Sequence, residues 1–108
     1  MFVIITLDIY YEPDQLKGES FMLSRDITII NDVGLHARPA TFFIQKANSY
    51  KSSIWIEKED RRVNAKSLLG VLSMGIVKGT VVTVIADGED ESEAIDGLEK
   101  LISYELND

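Results

Sequence analysis

Cysteine is absent from the 108 residues, so disulfides and thiolate metal sites are excluded. Histidine occurs once, as His36, and any metal centre would have to rest on carboxylates. Basic residues are scarce: 11 Lys and Arg stand against 18 Asp and Glu, a formal charge of -7 at pH 7. Such a balance lacks the basic patch that non-specific binding to nucleic acid or an anionic membrane requires. Partners are therefore expected among proteins or small molecules. Long apolar runs are missing too. The most apolar stretch, MFVIITLDIYY, is broken by Asp8, has no basic n-region and is too short to span a bilayer. A soluble, cytoplasmic protein without membrane insertion is expected.

What is present suffices for one domain, since 45% of the residues are hydrophobic. Residues 12 to 20, EPDQLKGES, read as a polar linker, which divides the chain into an N-terminal extension (1–21) and a folded body (22–108). DITII (26 to 30) has the β-branched content of a strand, and NDVG after it reads as a turn. Ala40, Phe43, Ile44 and Ala47 recur at helical spacing, and Pro39 suits the first turn of that helix, where its missing N–H would have no partner anyway. SSIWIEK (52 to 58) alternates as a strand with Ile54 and Ile56 on one face and Trp55 on the other, and EDRR turns it into RRVNA.

Residues 67 to 74, SLLGVLSM, read as a short helix with Ser67 as N-cap and Gly75 as its stop. TVVTVIA (80 to 86) is the last expected strand. In the final helix Asp90 and Glu93 have capping-box spacing, followed by a stripe of Ala94, Ile95, Leu98, Leu101 and Ile102. The order β-α-β-β-α-β-α predicts an α+β, two-layer fold: a four-stranded antiparallel sheet with three helices on one face.

His36 falls just before or at the start of the first helix. There the first N–H groups lack intrahelical acceptors, and with the helix dipole they favour an anion such as phosphate. Arg38 adds a fixed positive charge with several donors suited to phosphate oxygens. A histidine so placed can act as a nucleophile that accepts a phosphoryl group. Taken singly, His36 reads first as an exposed cap residue with no role and Arg38 as a solvated surface charge.

GLHARPAT, followed one helix and one hairpin later by VNAKSLLGVLSMGI, resembles the HPr family, the histidine-containing phosphocarriers of the sugar phosphotransferase system. The resemblance runs from about Ile27 to Ile102 and implies an open-faced β-α-β-β-α-β-α sandwich without cofactor or metal. It implies that His36 is phosphorylated by enzyme I at the expense of phosphoenolpyruvate and passes the group to enzyme II A components, with Arg38 steadying the phosphohistidine. Ser67 falls where Gram-positive members carry a regulatory serine phosphorylated by HPr kinase/phosphorylase, with Lys66 before it. A phosphate there adds about -1.5 to -2 charge at a helix N-terminus. By resemblance it would repel enzyme I and create a site for a CcpA-type regulator. The family's docking surface would here comprise Ala37, Thr41, Lys66, Leu68, Leu69 and Leu72, with Val71 and Met74 turned inward.

The sequence departs from the family at Val33, where a small polar residue is usual. Asp32 beside it is the candidate to compensate. EKEDRRVNAKS also resembles Crh, the regulatory branch that lacks the active-site histidine and acts through its serine as a corepressor partner. Retention of His36 separates this chain from that alternative. A monomer is expected.

Residues 1–21 have no counterpart in the resemblance and admit two readings. Lys17, Gly18 and Glu19 can be encoded by a purine-rich run resembling a ribosome-binding sequence, which would make Met22 the true start. Alternatively FVIITLDI alternates well enough to add an edge strand.

Overall fold

A computed structural model describes residues 7–10 and 22–106, arranged as one antiparallel sheet with helices on one face. The strands are β1 (Leu7–Tyr10), β2 (Met22–Thr28), β3 (Ser53–Lys58), β4 (Arg61–Asn64) and β5 (Val81–Asp87), in the order β1-β2-β5-β3-β4. The helices are α1 (Ala37–Asn48), α2 (Leu68–Leu72) and α3 (Glu91–Lys100), the last running on into a π-helical turn at Leu101–Glu105. The four expected strands and three helices are all there, and β1 adds a fifth strand on the outer edge of β2. The expected linker at 12 to 20 lies outside the described residues.

The alternation of β3 explains its placement: Ile54 and Ile56 are buried against the helices, and Trp55 is half-buried on the opposite face. Val82, Val84 and Ala86 do the same from β5, and Ile27 from β2. From the helices, Ala40, Phe43 and Ala47 of α1 and Ala94, Ile95 and Leu98 of α3 complete the core, with Leu101 and Ile102 from the turn that follows. Each fully buried large side chain contributes about 1.5–3 kcal/mol.

Two boundaries differ from expectation for a physical reason. β2 begins at Met22 rather than Asp26, because MLSR, poor in strand formers, is paired on both sides, by β1 and β5. Arg25 within it reaches α3, its guanidinium Nη1 lying 2.8 Å from both Asp96 Oδ1 and Glu99 Oε1, with its side chain only 13% exposed. The turn of the β3–β4 hairpin is Glu59 and Asp60 alone, Glu59 taking a φ of 56°, so Arg61 and Arg62 belong to β4.

Asp90 is the N-cap of α3, but its carboxylate makes no capping bond. It instead accepts from the Ser52 hydroxyl and from the backbone N–H groups of Lys51 (2.8 Å) and Ser52 (2.9 Å), tying the entry of β3 to the start of α3. These donors, the Ser52 hydroxyl foremost, hold the Asp90 pKa down from 3.8 to about 2. A folded-state value below the unfolded one gives stability that is complete above about 3.8 and is lost as pH falls through about 2. In urea unfolding at stepped pH, the wild type should lose more of its midpoint across that window than Asp90→Asn. Parallel curves for the two proteins would refute the role given to the carboxylate.

Candidate functional site

The loop before α1 is built on Asn31 and Gly34. Buried Asn31 donates through Nδ2 to the Gly34 carbonyl (2.7 Å), and Gly34 N–H donates back to the Asn31 carbonyl (3.1 Å). Gly34 adopts a φ of 61°, and Leu35 N–H donates to the Ile76 carbonyl (3.0 Å), docking the loop on the segment that follows α2. The next residue is His36, and it leaves the loop in extended conformation (φ -83°, ψ -166°) as the N-cap of α1.

His36 is exposed and its side chain makes no capping hydrogen bond, so the imidazole is uncommitted to the helix. Its carbonyl accepts from Ala40 N–H at 2.8 Å. Helix geometry leaves the N–H groups of Ala37 and Arg38 without intrahelical acceptors, and Pro39 next to them has none to offer. No acidic residue sits in the first turn to cancel the positive end of the dipole. The Arg38 guanidinium lies 5.8 Å from the ring centroid of Phe42, an aromatic one turn along the helix, and has no carboxylate partner among the described residues. Thr41 directs its hydroxyl back to the Ala37 carbonyl at 2.8 Å. An exposed imidazole and amides without helical acceptors thus share one helix terminus, and Arg38, two residues after His36, brings a guanidinium with no carboxylate partner among the described residues. That set can hold an anion made on the ring.

Val33 is 54% exposed beside this terminus. Asp32 does not turn toward His36: its carboxylate pairs with Lys78 Nζ at 3.1 Å. Among the described residues, no three of His, Cys, Asp and Glu gather closely enough to hold a metal ion. Nor is any described helix long and apolar enough to cross a membrane.

The second expected site surrounds α2. Ser67 is its N-cap and its hydroxyl accepts from Gly70 N–H at 3.1 Å. The helix itself is five residues long, its end held by Arg61, which donates to the Ser73 carbonyl (2.8 Å), and by Lys58, which donates to the Met74 carbonyl (3.1 Å). Val71 and Met74 are buried, Leu68 is exposed, and Leu69 is 80% exposed. Leu72 departs from expectation. It is half-buried and packs against the core, because a helix this short still turns it partly toward the sheet. Lys66 likewise spends its ammonium on the Tyr50 carbonyl, 2.8 Å away. Phe42 and Val77 are exposed as well, although neither is among the surface residues expected from sequence. Phe42 was legible as an aromatic off the apolar stripe of α1, whereas Val77 carries no such signal.

Comparison with known proteins agrees with this geometry. Residues 23–104 match the family model described as the PTS HPr component phosphorylation site. The phosphocarrier protein HPr of Neisseria meningitidis serogroup A is 46% identical over 82 residues, covering 76% of this chain and 92% of the relative. The HPr-like protein Crh of Bacillus subtilis is also 46% identical, over 83 residues, covering 77% and 94%. Among solved structures, HPr-C-His from Thermoanaerobacter tengcongensis superposes with a TM-score of 0.75 at 47% identity, covering 77% of this chain and 93% of that one. From helix terminus, fold and similarity together, the chain belongs to the HPr/Crh family of phosphotransferase-system phosphocarriers.

Proposed function

We propose that this chain is a working phosphoryl carrier: His36 accepts the group from phospho-enzyme I and hands it to enzyme II A components. A neutral ring nitrogen attacks the phosphorus, the bond to the donor breaks with its electron pair leaving on the donor, and an N–P bond forms on His36. Arg38 and the amides of the first α1 turn then face the phosphoryl oxygens. Because the terminus is open to solvent, the group stays available to the next acceptor. The observation that carries the reading is the exposed His36 side chain, free of any capping bond, at a terminus without acidic residues. The carrier unit is residues 22–108, and the chain is cytoplasmic and monomeric.

A second reading is favoured by Ser67, an N-cap whose hydroxyl is at the base of the exposed Leu68 and Leu69. On that reading HPr kinase/phosphorylase modifies Ser67, and a CcpA-type regulator docks on the phosphoserine and the adjacent leucines, as for a Crh-like protein. Incubation with enzyme I and labelled phosphoenolpyruvate separates the two. Acid-labile label supports the carrier, and ATP-dependent label on Ser67 without any acid-labile label supports the regulator.

Val33 offers a quantitative check. A hydroxyl at this position would give the phosphoryl group one more hydrogen bond, worth about 0.5–1.5 kcal/mol net. Val33→Ser should therefore speed labelling by enzyme I by about 2- to 10-fold. An unchanged initial rate would show that the position does not touch the phosphoryl group.

A further inference from the structure

Three of the four arginines are committed to oxygen atoms. Arg25 lies 2.8 Å from the carboxylates of Asp96 and Glu99, Arg61 donates to the Ser73 carbonyl (2.8 Å) and hydroxyl (2.7 Å), and Arg62 pairs with Glu57 at 3.8 Å. Arg38 differs. Although the chain carries 18 acidic residues, none of those described pairs with it, and none sits in the first turn of α1. Its guanidinium lies instead over the ring of Phe42, 5.8 Å from the centroid and within reach of a cation–π contact.

A carboxylate and a ring hold a cation in different ways. The carboxylate takes the N–H groups and cancels the charge. An aromatic face attracts the guanidinium plane and leaves its N–H fork open to a further acceptor. The ring is itself placed, because Phe42 follows Arg38 by four residues on α1, the spacing that brings two side chains together on one helix face. It is also only 43% exposed and lines a groove with Lys46, Leu101 and Leu106.

We propose that Phe42 is a positioning residue for phosphoryl transfer at His36: its ring holds the Arg38 guanidinium against α1 without neutralising it, so that the cation is already ordered when a phosphoryl group arrives. This role rests on the carrier reading of His36. Arginine is long and rich in rotamers, and a phosphoryl group that had to order it unaided would forfeit part of the gain from the contact. Phe42 removes that loss.

The test is the equilibrium constant for phosphorylation of His36, read as acid-labile label on the full chain held with enzyme I at a series of pyruvate to phosphoenolpyruvate ratios. That constant depends only on the free and phosphorylated chains, so a Phe42 that merely touched enzyme I would change the rate and leave the constant in place. Phe42→Leu keeps an apolar helix former but no π face, and should lower the constant by about 2- to 5-fold, the full worth of a cation–π contact at an exposed site. Phe42→Trp should hold it at the wild-type value. Arg38→Gln should lower it further than Phe42→Leu does, and adding Phe42→Leu to Arg38→Gln should change nothing more, since the ring acts through the guanidinium. An unchanged constant in Phe42→Leu, a Phe42→Trp that falls as far as Phe42→Leu, or a Phe42→Leu effect that persists without Arg38 overturns the proposal and leaves the carrier reading standing. A wild-type chain that takes no acid-labile label overturns both.

Discussion

His36→Ala should abolish acid-labile labelling from phosphoenolpyruvate and enzyme I, down to the level seen without enzyme I. His36 is the chain's only histidine, so no other imidazole can take over the attack on phosphorus. Arg38 and the first-turn amides stabilise an anion but offer no lone pair to form the N–P bond. Stability should scarcely move. The residue is exposed and its side chain makes no capping bond, so the substitution belongs with surface changes, within about 0.5 kcal/mol. Unchanged thermal unfolding beside lost labelling would therefore locate the defect in the chemistry. Labelling of Ser67 by ATP and HPr kinase/phosphorylase should persist, since that hydroxyl is held by Gly70 at the start of a different helix.

Gly34→Val should be the most damaging substitution near the site that does not touch a reacting group. A Cβ at Gly34 would collide with the Ile76 carbonyl oxygen and meet Val77 Cα at 2.7 Å, both backbone atoms that cannot swing aside. Its φ of 61° adds the left-handed penalty, and a β-branched residue bears that badly. The loop must then leave Ile76, which breaks the Leu35 hydrogen bond and shifts His36 two residues on. We expect a loss of about 2–4 kcal/mol in stability. Phosphorylation by enzyme I should slow by at least about 10-fold in protein that remains folded, because a misplaced nucleophile forfeits orientation. Gly75→Ala is the control. Gly75 has a similar φ of 62° but nothing within 4 Å of the place a Cβ would take, so it should show backbone strain alone, about 1–2 kcal/mol, with normal labelling. Equal effects at the two glycines would mean that close approach to Ile76 is not what matters.

The helices of this fold are legible because their signals are local. Ala40, Phe43 and Ala47 lie on a stripe that Pro39 opens, and the stripe from Ala94 to Ile102 survives a change of helix type at Leu101. The alternation of Ile54, Trp55 and Ile56 is equally direct. Non-local pairing is what escapes such a reading. MLSR becomes strand because neighbours on both sides impose it, and one of them, Leu7–Tyr10, belongs to a segment whose sequence admits two readings. The spacing of Asp90 and Glu93 points to a capping box, yet Ser52 and Lys51, nearly forty residues earlier, claim the carboxylate. At the site, His36, Arg38 and Ser67 are visible in short motifs. The ion pair from Asp32 to Lys78 joins two loops that only the fold brings together, and Lys66 is drawn to Tyr50 in the same way. A five-residue α2 is too short for periodicity to settle the side on which Leu72 lies.

If His36 is a station in a relay, onward transfer is its most direct test. The chain would first be labelled with enzyme I and phosphoenolpyruvate, freed of donor, then mixed with an enzyme II A component. The acid-labile label should leave this chain and appear on the acceptor. Label that never enters while Ser67 still takes phosphate from ATP, or label that enters and stays when the acceptor is added, would contradict the relay.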